Sequence, residues 1–377
     1  MSNNQNLKEL AKLFLKLGII GFGGPAAHIA MMQKEVVIEK KWLTDQEFLD
    51  LIGATNLIPG PNSTEMAIHI GRKKAGWKGL IVAGLCFIFP SVIITGIFAI
   101  LYKKYGQLPE VYPFIYGIKP AIIAIILGAV FPLAKKSVKT FRLAVIGGIV
   151  LICSLLKISE IGLMFGAGLI TLIIDYLQKN TNKKLNNIIF VGPLQLLMSD
   201  VSSLLNLKLF WIFLKIGAIL YGSGYVLFAF LDTELVSGGI ITRQELIDAI
   251  AVGQFTPGPV FSSVTFIGYQ INGFSGAIVS TLAIFLPSFV FVALLGPFVN
   301  KMRNSSTFSS FLNAVNVASI AIIISVCIAI GLESITDWKT TFIACISIII
   351  VFGFNKLNSA FIVIGGSLLG YLLHILI

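Results

Sequence analysis

Two stretches constrain this chain more than any others: Asn56-Leu-Ile-Pro59-Gly60-Pro61-Asn62-Ser63-Thr64 and Gln254-Phe-Thr-Pro257-Gly258-Pro259-Val-Phe-Ser262. Proline lacks a backbone N–H and clashes with the turn before it, so Pro-Gly-Pro ends a helix. Pro61 or Pro259 can open the next helix at its first position, where no donor is lost. The expected product is two half-helices meeting end to end, the second presenting unpaired N–H groups and a positive dipole end. The apolar runs flanking each triplet are too short to span a bilayer alone.

The setting is a membrane. Of 377 residues, 56% are hydrophobic and 12% charged, and mean hydropathy is +0.92. Runs at 79–101, 114–133 and 276–299 reach the ~20 residues a spanning helix needs. A soluble domain is excluded. The expected fold is an all-α polytopic membrane protein, multi-pass in the cell membrane of a prokaryote, with the lipid bilayer as one partner. In lipid, a helix break survives only where protein buries it or it lines a cavity. Two such breaks in equivalent places point to a transporter's substrate site.

The net charge of +11 is unevenly placed: residues 1–200 hold 21 Lys and Arg against 11 Asp and Glu, and residues 201–377 hold 7 against 6. The basic residues occupy short loops between apolar runs, which is topology signalling and not nucleic-acid binding. The polar start and the lysines of the first apolar run do not read as a cleavable signal. Cys86, Cys153, Cys327 and Cys345 are scattered in apolar runs, and His28, His69 and His374 are dispersed, so neither a metal site nor a cofactor is expected.

The chain repeats itself. Phe14-Leu-Lys16-Leu-Gly18 matches Phe213-Leu-Lys215-Ile-Gly217, and Gly21-Phe22-Gly23-Gly24 matches Leu220-Tyr221-Gly222-Ser223. Leu43-Thr44-Asp45-Gln46-Glu47 matches Ile241-Thr242-Arg243-Gln244-Glu245, and Pro90-Ser91 matches Pro287-Ser288. The offset drifts only from 199 to 197. Two halves are expected, 1–180 and 208–377, joined by a more polar segment 181–207. In the first half, helices at 7–20, 26–38, 44–57 and 62–71 are each too short to cross, so they read as two re-entrant hairpins with tips at Gly21–Gly24 and Pro59–Pro61. Longer spans follow at 79–102 and 112–134, then shorter ones at 143–156 and 160–176. Arg72, Lys73, Lys74 and Lys78 share a side with Lys135, Lys136, Lys139 and Arg142, whereas their second-half counterparts carry little positive charge. The halves are therefore expected to be an inverted repeat, which requires one extra crossing in 181–207.

Phe22-Gly23-Gly24-Pro25, Lys41-Trp42-Leu43-Thr44, Pro59-Gly60-Pro61 and Pro90-Ser91, with the second copies at Tyr221-Gly222-Ser223-Gly224, Pro257-Gly258-Pro259 and Pro287-Ser288, resemble the chromate ion transporter (CHR) family in its long, two-domain form. The resemblance covers nearly the whole chain. It implies secondary active efflux of chromate, with sulfate as a competing substrate, driven by membrane potential or a proton gradient. A homodimer belongs to the same set of expectations. The second copy departs from the pattern where Leu220-Tyr-Gly-Ser stands for Gly21-Phe-Gly-Gly, so the two tips are expected to contribute unequally.

The residues suit a tetrahedral dianion on their own chemistry. Such an ion must exchange its hydration shell for protein donors, and helix N-termini supply them. Asn62, Ser63 and Thr64 in the turn after Pro61, and Ser262 and Ser263 in the second copy, add amide and hydroxyl donors; plain capping of a buried helix is the alternative. Gly21, Gly23, Gly24 and Gly60, with Gly222 and Gly258, allow close backbone approach, and Phe22 and Ser223 share those tips. Asn56 and Gln254 stand in equivalent places, either lining the site or hydrogen-bonding between helices. Lys16 and Lys215 are candidate anion counter-charges, or snorkelling cations. Glu65, unique to one half, is a candidate proton carrier, with His69 one turn on along the same face; pairing with Arg72 is the alternative. Glu35 and Glu39 are expected to pair with Lys34, Lys40 or Lys41, and Asp175 shows no evident partner. No GxxxxGK[ST], HExxH or GxSxG motif occurs, so an ATP-driven pump or hydrolase is unsupported and no catalytic residue is expected. An anion channel using the same tips is the nearer alternative.

Overall fold

The computed structural model describes residues 3–22, 24–106, 108, 110–179, 205–221, 224–295, 305–354 and 357–376, and every regular element among them is helical. The first half contains α1 (Asn3–Ile20), α2 (Gly24–Gln33, running on through a π-helical turn at Lys34–Glu39), α3 (Asp45–Thr55), α4 (Asn62–Tyr105), α5 (Tyr112–Ser137), α6 (Phe141–Leu155) and α7 (Glu160–Lys179). The second contains α8 (Leu205–Ile219), α9 (Val226–Leu231, with a π-helical turn at Asp232–Val236), α10 (Arg243–Phe255), α11 (Ser263–Leu295), α12 (Ser306–Ser334), α13 (Trp338–Gly353) and α14 (Ser359–Leu376). Helices α4, α5, α7, α11 and α12 are long and apolar enough to cross a membrane.

The repeat is visible in local chemistry. Thr44 caps α3 by accepting from the Glu47 N–H, and the Glu47 carboxylate accepts from the Thr44 N–H at 2.8 Å; Thr242 and Glu245 build the same capping box on α10. Helices α4 and α11 are each two helices. The chain reverses at Ala75–Gly76 (φ +62° at the glycine) and at Asn272–Gly273 (φ +59°), conformations that favour glycine. The arms beyond each reversal touch at Gly71 against Gly79, and at Gly268 against Gly276, where a side chain would collide with backbone. The long arms carry matched exposed apolar rows. Ile81, Leu85, Phe89, Ile93 and Ile97 lie four apart on α4, and Ile278, Leu282, Leu286, Val290 and Leu294 lie four apart on α11. A single apolar stripe turned away from the protein faces lipid.

Contacts between the halves establish the inversion. Arg72, at the end of the short arm of α4, donates to the Val292 carbonyl near the far end of the long arm of α11. Conversely, Gln270 near the end of the short arm of α11 donates to the Ala99 carbonyl at 2.9 Å, and Lys103 lies over the Tyr269 ring at 5.6 Å. Ala99 and Lys103 sit at the opposite end of α4 from Arg72, so the two short arms point to opposite faces. The first-half hairpins open on the face of Arg72: Glu9 pairs with Lys74 at 3.7 Å and Glu47 with Lys73 at 2.6 Å, while Lys74 lies over the Trp42 ring at 4.5 Å. This is the basic face, shared with Lys135 at the end of α5. The second-half hairpins open on the other, where Asn272 donates to Asn206 at 2.7 Å and Arg243 bridges Asp232 and Glu333. Helix α7 ends on the basic face and α8 begins on the opposite one. The expected crossing at 181–207 lies almost wholly outside the described residues.

Burial is unequal between halves. All six residues of α9 are buried within a core formed with α8, α10, α11 and α12, whereas α2 buries only His28 and Met32. The α1–α3 hairpins pack with the short arm of α4 around a separate core of Leu10, Phe14, Met32, Phe48, Met66 and Phe87. A third polar contact ties the halves together: Tyr102 of α4 donates to the buried Asp248 of α10 at 2.6 Å, and Asp248 also accepts from Gln244, which accepts in turn from Lys119 of α5 at 2.6 Å.

Several local expectations need correction. Pro61 and Pro259 precede their helices as extended caps (ψ 98° and 130°) and do not form the first helical residue; the second break adds a 3-10 turn at Val260–Ser262 before α11 begins. Glu35 pairs with Lys16, not with its neighbours, because the hairpin lays α1 beside the π-helical turn. Glu39 does take Lys34, at 3.6 Å. Asp175 has a partner, the Arg142 guanidinium at 2.5 Å.

Candidate functional site

Four helix ends converge where the re-entrant tips meet. At the first Pro-Gly-Pro, Gly60 adopts φ +136° and donates its N–H to the Leu220 carbonyl at 2.8 Å. At the second, Gly258 adopts φ +87° and donates to the Gly21 carbonyl at 2.7 Å. Leu220 and Gly21 are repeat partners, as are Gly60 and Gly258. Each triplet is therefore held by the other half's tip. This exchange is the signature of a two-fold relation between the halves. Close approach demands glycine at both: a Cβ on Gly60 would fall 2.6 Å from Ser288 Oγ, and one on Gly258 would fall 2.8 Å from Ser91 Cβ.

The serines after Pro90 and Pro287 reach across to the helix starts of the opposite half. Ser91 donates to Ser262 Oγ at 2.6 Å, supported by Thr95 at 3.3 Å, and Ser288 donates to Glu65 Oε1 at 3.4 Å. In the first turn of α4 the Thr64 and Glu65 N–H groups bond back to the Pro61 carbonyl at 2.8 and 3.1 Å. The Asn62 and Ser63 N–H groups have no acceptor among the described residues, as a helix start dictates. Asn62 turns its amide to Asn56 Oδ1 at 3.0 Å. His28 of α2 approaches the Gly21 carbonyl at 2.8 Å with Nε2 and stacks edge-on against Phe87 at 5.4 Å. On the other side, Tyr225 donates to Gln254 Oε1 at 3.5 Å, and its hydroxyl is the nearest neighbour a Cβ on Gly24 would meet.

These groups leave polar capacity unused. Of the ten buried side-chain polar atoms without a partner among the described residues, six belong to His28, Thr64, Glu65, His69, Gln254 and Ser263. Native interiors rarely leave such atoms unpaired, and here five of the six lie on helices that flank the two breaks, with His28 on α2 against the Gly21 tip. Thr64, Glu65 and Ser263 are fully buried, and Gln254 and His69 are less than a tenth exposed. The arrangement offers donors from two helix starts, several hydroxyls, an amide and an imidazole to something small and polar.

Most residues expected from the sequence meet here: Gly21, Pro59–Thr64, Gln254, Pro257–Pro259, Ser262 and Ser263 are buried or nearly so around the tips, with Phe22 and Gly24 half-buried beside them. Asn56 is exposed and touches the site only through Asn62. Gly23, Gly222 and Ser223 lie outside the described residues. Lys16 and Lys215 lie more than a turn from the tips, each matched by a carboxylate of its own half: Glu35 at 2.5 Å and Glu234 at 2.6 Å. Sequence reasoning missed His28, Ser91, Ser288 and Tyr225 as site residues. The two serines were already visible as a repeated Pro-Ser pair, a signal that marked the repeat without revealing what the hydroxyls touch.

A family model described as chromate transporter matches this chain twice, over residues 8–172 and 207–371. The chain belongs to the chromate transporter family. The two matches cover the two inverted halves, so the crossed tips are a meeting of two copies of one family unit. The family member is 31% identical to a probable chromate transport protein of Synechococcus elongatus, over 91% of this chain and 89% of that one. It is 31% identical to a chromate transport protein of Cupriavidus metallidurans, over 97% and 92%. An uncharacterized transporter of Bacillus subtilis, YwrB, is 32% identical over 37% of this chain and 70% of its own length, a match shorter than one half of this chain. No solved structure matches.

Proposed function

We propose that this protein is a secondary active transporter that exports a tetrahedral oxyanion, chromate first, held at the starts of α4 and α11 between the crossed Pro-Gly-Pro turns. The observation that carries the reading is the reciprocal interlock of Gly60 with Leu220 and Gly258 with Gly21. It puts two helix starts and a group of unpaired buried donors in one enclosed place. Helix N-termini are anion sites by construction. The anion's identity comes from the relatives, two of which are named for chromate transport. Sulfate has the same shape and charge, so it competes. Asn62 and Ser63 supply N–H groups, Thr64, Ser262 and Ser263 supply hydroxyls, and Gly21 and Leu220 hold the two turns in place through their carbonyls.

Energy coupling follows from Glu65. Its Oε1 accepts from Ser288 and its Oε2 has no partner. An ionised carboxylate there repels an arriving dianion, so a proton on Glu65 accompanies the anion. That proton moves outward with it, so an inside-negative potential acting on the net negative load drives export and an inward proton gradient opposes it. The membrane potential acts on whatever net charge the loaded and empty states carry.

The test is transport in proteoliposomes with chromate, sulfate and molybdate, under separately imposed pH and voltage gradients. Chromate accumulation against its own gradient is expected. Strictly downhill flux under every gradient would establish the channel reading instead. Binding by Asn62→Ala and Ser63→Ala tests the site itself. A hydrogen bond to an ionised group is worth about 1.5–3 kcal/mol, so losing one weakens affinity about tenfold or more. Wild-type affinity in both would put the anion elsewhere.

A further inference from the structure

A cleft of about 580 Å³ runs between α5, α13 and α14. Its outer end is marked by Lys135, whose amine lies over the Phe131 ring at 4.6 Å, on the basic face. Its inner end is marked by Tyr225 and Ser359. Both touch Gln254, the residue three before the second Pro-Gly-Pro: Tyr225 bonds its side chain at 3.5 Å, and Ser359 donates to its carbonyl at 3.4 Å. From Ile125 to Lys135 the lining helix rises about 15 Å, half the ~30 Å hydrocarbon layer. Helix α13 ends at Gly353 and α14 begins at Ser359. The ends of this hairpin therefore lie at the depth of Gln254 and not at the basic face, with Phe131 of α5 edge-on against Phe352 of α13 at 5.6 Å between them. Gln254 is 6% exposed and its Nε2 has no partner.

We propose that this cleft is the route by which the hydrated oxyanion passes between the basic face and the crossed tips. Lys135 concentrates anions at the mouth, and Tyr225, Ser359 and Gln254 form the polar threshold to the site. The proposal rests on the reading of the tips as the anion site. A groove for lipid chains would suit the apolar lining of Ile125, Phe131, Val351, Phe352 and Phe354 and a lysine at its headgroup end, but it has no use for a hydroxyl, phenol and spare amide at the other end. A small dianion needs both, a charge to draw it in and donors to replace water as it leaves the cleft.

The experiment is thiol labelling in oriented vesicles, in a background whose four native cysteines are replaced and which still transports. Single cysteines are placed deep and midway by Ser359→Cys and Ala129→Cys. A membrane-impermeant sulfonate-bearing methanethiosulfonate applied to the basic face is expected to label both, and chromate or sulfate to protect Ser359→Cys. Adding Lys135→Gln is expected to slow the anionic reagent about twofold, the effect of one unit charge across ~8 Å of water, and to leave a cationic reagent no slower. The apparent KM for chromate should rise about fivefold, because the substrate carries two charges. Labelling of both positions only by a lipid-soluble maleimide would make the cleft a lipid groove and overturn the route, with the tip site untouched. Equal effects of Lys135→Gln on both reagents would overturn the role of Lys135. Rapid anionic labelling that no oxyanion protects would instead overturn the tip site, and with it the destination of the route.

Discussion

Gly60→Ala is the most informative single change, because three costs act at one atom. The residue sits at φ +136°, where a side chain is strained by about 1–3 kcal/mol. The new Cβ falls first on Glu65 Oε1 and then 2.6 Å from Ser288 Oγ, both well inside the ~3.5–4.0 Å of a favourable contact. Relief requires Ser288 to release Glu65, or the turn to shift and break the Gly60 N–H bond to Leu220. A buried group left unpaired costs about 1–3 kcal/mol. The sum is about 2–6 kcal/mol, concentrated where the anion is proposed to bind. At about 1.4 kcal/mol per tenfold, even the lower end weakens affinity roughly 30-fold. Gly76→Ala is the control: its φ is +62°, nothing lies within 4 Å of the new Cβ, and it is a full short arm away from the tips. Its cost is about 1–2 kcal/mol of local strain, with no effect on binding. Both purified variants are compared for thermal stability and for chromate and sulfate affinity. A folded Gly60→Ala that binds within twofold of wild type would refute the placement of the site at the interlock. Equal loss in both variants would show that the effect is global.

Other consequences can be measured alongside it. Lys16→Met is expected to lower the melting temperature, because it strands the buried Glu35; Lys16→Met with Glu35→Gln should recover it, and reduced anion uptake that persists in the double variant would establish the counter-charge role. Tyr102→Phe removes the 2.6 Å bond to buried Asp248 and should cost about 1.5–3 kcal/mol in denaturant unfolding, whereas an unchanged midpoint would show that this tie between α4 and α10 contributes nothing. The Lys73 amine and then Thr44 hold the Glu47 carboxyl down at about 2, below its ordinary 4.5. A depressed carboxyl stabilises the fold above its unfolded value and loses that contribution as pH falls toward 2. Glu47→Gln should therefore flatten the stability profile between pH ~4.5 and ~2 and leave it parallel to wild type above pH ~6, and an unaltered acid limb would refute the pairing.

The parts of this structure written in short-range chemistry could be read from the residues. Thr44 and Glu47 form the capping box their spacing announces, and the chain breaks at Pro59–Pro61 and Pro257–Pro259 because two prolines around a positive-φ glycine cannot continue a helix, whereas the single prolines Pro90, Pro120, Pro132 and Pro287 lie inside helices. The inverted repeat was legible because charge is placed by topology: Arg72 and Lys135 share a face, and the end of the short arm of α11 holds Tyr269 and Gln270 where its counterpart holds arginine and lysine. Pairings that depend on register between separated helices were not legible. Lys16 meets Glu35 only once the tip at Gly21 fixes how α1 and α2 lie side by side. Arg142 meets Asp175 only once α6 and α7 fold back on each other. The Asp248 cluster was invisible for a further reason. Its repeat partner Asp50 has the same i, i+4 glutamine, Gln46 at 3.1 Å, yet stays half-exposed, so the shared sequence pattern alone does not tell which of the two is buried.

That inequality bears on how an inverted pair could work. The two backbone bonds of the interlock are equivalent by repeat, so breaking either, at about 1–3 kcal/mol for a buried group left unpaired, costs about the same on both sides. What differs is the support behind each tip. Leu220, the acceptor in the second half, is fully buried in the larger core with all six residues of α9, and moving it would disturb α8, α10, α11 and α12 together. The tip at Gly21–Gly24 belongs to a hairpin with its own small core, and α2 buries only two side chains. The half that can move more cheaply is thus the first. It also carries Glu65, His69 and His28, while the equivalent of Glu65 in the second half is Ser263 and that of His69 is Phe266. The titratable groups sit on the more weakly anchored side of the interlock. A change of protonation or anion occupancy there acts on the hairpin with least to lose by moving, while the second half serves as the fixed frame.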